Sequence, residues 1–222
     1  TEVDQGEEEE ILLGLVTAQI SEGRFTEAEN TLTKLRTKDS SRFRLRQSIL
    51  AFHRRNSAGL SQSLEGVSVE DLPVQERGWF HLIYGINMLA DNSRTMAQSH
   101  FEKAMGLAVD EAQRTEFLVL LHRAEIMTGS PNEVLAVKLK QQWERFKGKS
   151  AGYDFALEYA NVLQALDRSK EAIIVVDSQL NATTTQNPEK RAHLLLTLGL
   201  LDKDPSSDMG REALRELVEH AT

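Results

Sequence analysis

Cysteine is missing from this 222-residue chain, so neither a disulfide nor a thiolate metal site can form. Its absence is compatible with an exported or cell-envelope location, which is slightly favoured over the cytoplasm. Proline occurs only four times and aromatic residues make up 6% of the chain. Leu, Ala, Glu, Arg and Gln abound instead, the composition of an all-helical protein. No alternation of Val, Ile and Thr persists even for six residues. The β-branched run Ile173 to Val176 lies between Ala172 and Leu180 at helical spacing and reads as helix. Long apolar runs are missing too: Phe117 to Leu121 and Leu194 to Leu201 fall far short of the roughly 20 residues that span a bilayer. A formal charge of −8 argues against a general nucleic-acid or anionic-membrane binder.

What is present is length and helical punctuation. A chain of this size can bury roughly 70% of its unfolded surface, ample for a core. Turn residues cut it at regular intervals. Residues 1–8 are acidic and read as a frayed lead-in. Breaks follow at 21–24, where Gly23 supplies a left-handed helix end, and at 38–41, where a serine caps the next helix. Further breaks fall at 56–59, 70–73, 91–93, 129–132, 167–169, 182–187 and 204–207. Pro73 suits the first turn of the helix after it. No stretch reads as a domain boundary, so residues 1–222 are expected to form a single domain. The chain opens on Thr1 without a signal peptide, and Ala213 to His220 still reads as helix at its end. Both features are expected of a processed chain or of a fragment whose array continues.

Between Leu82 and Ala104 the residues carry a packing code. Tyr84-Gly85 is followed by Ala97, Phe101 and Ala104. The small Gly85 permits a close helix crossing, Ala97 supplies the matching dent, and Phe101 and Ala104 extend the same face at i+4 and i+7. This order resembles the tetratricopeptide repeat, a helical hairpin of about 34 residues. Weaker echoes appear at Leu15-Val16 with Gly23, Phe25, Ala28, Leu32 and Leu35, at Tyr159-Ala160 with Ala172 and Val176, and at Leu198-Gly199 with Ala213 and Leu217. The alanines Ala28, Ala97, Ala172 and Ala213 lie 69, 75 and 41 residues apart. The first two gaps each leave room for one further degenerate hairpin, within Phe43 to Leu64 and Phe117 to Phe146. The resemblance implies an all-α solenoid of about six stacked antiparallel hairpins with a right-handed superhelical twist. It also implies a protein-binding adaptor or scaffold that holds a peptide or helix on its concave face.

Chemistry is sparse. Gly148-Lys149-Ser150 looks like the tail of a phosphate loop, but Trp143 stands where that motif needs glycine. The six histidines form no metal set. His122 and Glu125 share a helix face, His100 and Glu102 do not, and no second imidazole is near either pair in sequence. Asn181-Ala182-Thr183 matches a short glycosylation acceptor pattern. No catalytic residue, cofactor site or metal site emerges, and the expected partner is a protein or peptide.

Aligning Gly85 with the family's small position puts Trp79, Leu82, Ile86 and Leu89 in the implied groove. Aligning Ala160 likewise adds Asp154, Leu157, Asn161 and Gln164. The alternative for Leu82, Ile86 and Leu89 is burial against neighbouring helices. Asn161 has no lysine around it, which disfavours the carboxylate clamp used by some family members. A second candidate surface is the basic run Lys34, Arg36, Lys38, Arg42, Arg44, Arg46, Arg54 and Arg55, against the single acid Asp39. With Leu45, Ile49 and Phe52 buried, Arg42, Arg46 and His53 fall on one flank and Arg44 and Arg55 on the other. This block is either a solvated flank or a site for an acidic partner, and the Glu7 to Glu10 run could itself be that partner. Two further classes stay open. One is an architectural segment joined end to end, and the other is an enzyme framed by the solenoid.

Overall fold

The computed structural model describes residues 5–129, 131–182, 188–203 and 208–220. Among these residues the chain is helical throughout, with twelve α-helices, one 3-10 turn and no strand. The chain forms two compact units, residues 1–117 and 118–222, with the division falling inside one helix.

The first unit contains α1 (Gln5–Ser21), α2 (Phe25–Lys34), α3 (Ser41–His53), α4 (Ser57–Leu64), the 3-10 turn Val69–Asp71, α5 (Val74–Ala90), α6 (Arg94–Leu107) and the start of α7 (Glu111–Thr128). Consecutive helices pack as neighbours, α1 on α2, α3 on α4 and α5 on α6, and α3 also packs on both α1 and α5. The core is built from Val16, Ala28, Leu45, Leu72, Leu82, Ile83, Ala97 and Phe117. The expected crossing at Gly85 is present. A Cβ there would stand 2.7 Å from the Phe101 ring and 3.2 Å from the Ala97 carbonyl oxygen. Only hydrogen fits between α5 and α6 at that point.

The second unit continues with α8 (Glu133–Phe146), α9 (Ser150–Ala165), α10 (Ser169–Ala182), α11 (Pro188–Leu201) and α12 (Met209–His220). Here α9 packs on α8, α10 and α11, and α12 packs on α11. Leu139, Phe155, Leu163, Val176 and Leu194 fill its centre. Buried Gln179 accepts a hydrogen bond from the Trp143 indole at 3.1 Å, so this polar core group is satisfied.

Most turns fall where the punctuation puts them. Ser40 caps α3 by accepting the Phe43 amide at 3.2 Å, and Asn132 caps α8 through the Leu135 amide at 3.0 Å. Two boundaries differ. Asn56 caps α4 by accepting from Gly59, which draws Ser57–Gly59 into the helix rather than leaving them as turn. Residues 5–8, expected as a frayed lead-in, belong to α1, whereas residues 1–4 lie outside the described residues. The break at 204–207 and most of the one at 182–187 also lie outside them.

Four turns share one backbone device. Gly23, Arg55, Asn92 and Asp167 all adopt positive φ, at 78°, 56°, 60° and 60°. In each case the next residue's amide bonds back five residues: Arg24 to Gln19, Asn56 to Ala51, Ser93 to Met88, Arg168 to Leu163, at 2.8–2.9 Å. This is the six-to-one bond of the Schellman helix end. The first three positions lie 32 and 37 residues apart, and the last lies 75 further on.

Candidate partner-binding cleft

Helices α1, α3 and α5 each turn the same kind of face toward one cleft in the first unit. Thr17, Ile20 and Ser21 come from α1, Leu45, Arg46 and Ile49 from α3, and Gln75, Glu76 and Trp79 from α5. Each set spans one helical turn, so its members stand on one side of their helix. Gly14, Val109 and Gln113 complete a cleft of about 390 Å³. Gln113 is held in place at both ends. Its amide N–H donates to Asp110 at 2.8 Å and its side-chain oxygen accepts from the Val109 amide at 2.9 Å.

An ion cluster closes the floor. Arg46 Nη1 and Nη2 donate to the two oxygens of Glu76, each at 2.9 Å, and Arg46 Nε donates to the Leu13 carbonyl at 3.1 Å. Arg42 adds two more bonds to Glu76, from Nε at 3.1 Å and Nη2 at 2.9 Å, and also pairs with Glu10. The side chains of Arg46 and Glu76 are only 8% and 12% exposed. Burial pushes the Glu76 carboxyl upward. The hydrogen bonds and charges of Arg46 and Arg42 outweigh it, and the net shift is below the usual carboxylate range. Beside this pair the half-buried Trp79 ring meets Phe117 edge to face at 4.9 Å.

Of the expected groove residues on α5, Trp79 lines the cleft. Leu82 and Ile86 do not: they are 1% and 4% exposed, packed in the core, and offer a partner no surface. The reason is that α5 is packed by α3, α4 and α6 together, so only its first turns reach the cleft. Asn161 and Gln164 are exposed on α9, in the second unit.

Four of the eight basic residues, Arg36, Arg42, Arg46 and Arg54, meet the chain's own acids. Arg36 faces Glu8 at 3.6 Å, Arg42 pairs with Glu10, and Glu9 accepts the Thr37 amide at 3.1 Å. Arg54 pairs with Glu29 at 2.7 Å, and Arg44 donates to the Glu65 carbonyl at 2.9 Å. Arg46, expected on an open flank, is buried on Glu76. Arg55 is exposed at the α3–α4 turn. The acidic run at the start of α1 thus meets part of the basic block within one chain.

Ile20, Gln75 and Glu76 escaped the sequence reading, and Ile49 was read only as core. One signal was legible for Glu76: it is the sole acid in α5, a helix otherwise rich in apolar residues. His122 and Glu125 do bond, at 2.8 Å, with Lys138 at 3.6 Å from the same carboxylate. The Gly148 segment is the α8–α9 turn, with Gly148 at φ 79°. Asn181 belongs to α10, and Thr183 of the glycosylation pattern lies outside the described residues. Among the described residues no group of three or more His, Asp or Glu is arranged to hold a metal, and no helix is long and apolar enough to cross a membrane.

Comparison with family models, curated proteins and solved structures returned no match.

Proposed function

We propose that this chain is a non-enzymatic, protein-binding adaptor or scaffold built from tetratricopeptide-like hairpins, which holds a partner segment in the cleft of α1, α3 and α5. The carrying observation is the convergence of one-turn faces from three alternate helices on a single cleft. In a hairpin array that is the surface the first helices share. The recurrent turn at Gly23, Arg55 and Asn92, near the 34-residue period, supports the same reading. So does the packing of α3 on both α1 and α5. The full array of about six hairpins with a right-handed twist belongs to this proposal.

The cleft's chemistry defines the occupant. Arg46 and Glu76 neutralise each other, so the floor carries no spare charge for an acidic or basic tail. The half-buried Trp79, beside the largely buried Ile20 and Ile49, favours an apolar side chain, while Gln75 and Gln113 offer amides to a peptide backbone. The volume of about 390 Å³ lies at the small end of the range for ligand sites. The occupant is therefore a helix or extended segment anchored by an apolar residue.

The test uses a displayed peptide library against wild type and the variant Thr17→Lys/Gln75→Lys, two exposed positions of the cleft wall. A Trp143→Phe background leaves Trp79 as the sole indole reporter. Recovered peptides should share an apolar anchor, shift Trp79 fluorescence and lose the charged variant. Peptides that bind both proteins equally and leave Trp79 emission unchanged refute the cleft.

A second reading, end-to-end assembly, is favoured by one observation. Leu196 and Leu200 on α11, and Leu214 and Val218 on α12, are exposed i, i+4 pairs, with Leu200 63% and Val218 65% open. Replacing Leu200 and Val218 with lysine abolishes self-association under this reading and leaves peptide binding in the cleft intact.

A further inference from the structure

The tight α5–α6 crossing at Gly85 brings two imidazoles together. His81 stands on α5 and His100 on α6, with their Nδ1 atoms 3.1 Å apart. Gly85 and Ala97 set the helix separation that makes this possible. Aromatic packing then fixes the rings. Tyr84 stacks on His100 at 4.7 Å, Phe80 meets His81 edge-on at 5.3 Å, and Phe80 and Tyr84 are themselves 5.4 Å apart. Both histidines are half-buried, so one side of the pair remains open to solvent.

We propose that His81 and His100 form a two-imidazole site for a first-row divalent cation of the copper or zinc type, completed by water. Imidazole nitrogens bind such ions at about 2.0–2.1 Å, so a 3.1 Å separation subtends about 98° at the metal. That angle lies between the square-planar and tetrahedral values, the geometries these two ions adopt. Imidazole is a ligand only when neutral. The Nδ1–Nδ1 contact at 3.1 Å itself requires that at least one of the two rings present an unprotonated nitrogen. In the ion-free pair one Nδ1 must carry the proton it shares. Binding moves that proton to Nε2 and leaves both Nδ1 lone pairs to the ion. The opposing group is Lys103 on α6, whose positive charge disfavours a cation at either ring.

The site has a structural consequence. A cation there ties α5 to α6 within the hairpin whose first turns carry Glu76 and Trp79. Neither the peptide-binding cleft nor its proposed occupant is needed for this inference.

The experiment uses untagged protein with Cu²⁺ and Zn²⁺, compared with His81→Gln and His100→Gln, each checked for helicity by circular dichroism. Glutamine keeps a hydrogen-bonding group at either position. Wild type should bind one Cu²⁺ whose paramagnetic resonance spectrum shows two equivalent nitrogen donors. Either variant should bind about a hundredfold more weakly, because a bidentate site becomes a single ligand. A native-state site must also raise the melting temperature when loaded, so Zn²⁺ should stabilise wild type and not the variants. Equal Cu²⁺ affinity in wild type and both variants overturns the proposal. So does a single-nitrogen spectrum in wild type, or a Zn²⁺ melting shift that the variants share.

Discussion

Glu76→Ala removes the acceptor of four guanidinium N–H bonds at the floor of the cleft, two from Arg46 and two from Arg42. The consequences differ for the two arginines. Arg42 is 22% exposed and keeps Glu10, so its share is that of a surface pair, about 0–1 kcal/mol. Arg46 is 8% exposed and retains only the Leu13 and Arg42 carbonyls. Leaving one partner of a buried pair uncompensated costs about 3–5 kcal/mol. The remaining carbonyl bonds place this case at the lower end, near 3 kcal/mol. Urea unfolding should show a midpoint lowered by about 1 M or more with the slope unchanged, given slopes of about 1–3 kcal/mol/M. Arg46→Met/Glu76→Leu should recover most of that loss, since apolar replacement of both partners is close to neutral. A loss below about 1 kcal/mol in Glu76→Ala would equate the pair with a solvent-screened one and refute the reasoning. The pair also carries a pH signature. The folded carboxyl lies below its unfolded value, so its stabilisation is complete above the ordinary glutamate value of about 4.5 and disappears as pH falls through the folded value.

Gly85→Ala should cost about 1–3 kcal/mol, because its Cβ would stand 2.7 Å from a Phe101 ring that is itself buried. Chemical unfolding measures it, and Ala97→Phe at the same crossing should be at least as damaging. The histidine pair makes stability fall at mildly acid pH: both folded values lie below 6.5, so the unfolded chain binds more protons as pH drops from 6.5 toward them. Melting temperature against pH should fall less steeply across that window in a His81→Gln/His100→Gln variant. Arg55→Gly should stabilise by about 0.5–1 kcal/mol, since a left-handed residue with a Cβ is strained there and glycine is not, and thermal unfolding reads the gain.

The helices were legible because their boundaries are local. Ser40, Asn56 and Asn132 cap with their own side chains, and Gly23 and Asn92 reverse the chain within a turn. Ala97 and Ala172, read as packing dents, are fully buried. The cleft was harder to read because its partners are far apart in sequence. Glu76 lies 30 residues beyond Arg46, and Glu8 and Glu10 lie well before Arg36 and Arg42. Charges counted along the chain therefore looked like a free basic block, although the fold pairs several of them. Leu82 and Ile86, open in sequence to either groove or core, belong to the core for a related reason. Periodicity says that a face is apolar, but only the surrounding helices decide whether it meets solvent or core.

The repeated reversal at Gly23, Arg55, Asn92 and Asp167 is written in dihedral angles rather than in residue types. One shape is served by glycine, by the near-isosteric asparagine and aspartate, and by the long, charged arginine. Selection acting on such a corner constrains a torsion and lets the letters drift. Kinship between the corners of this chain, and with chains elsewhere, is then better sought by superposing backbones than by aligning alphabets.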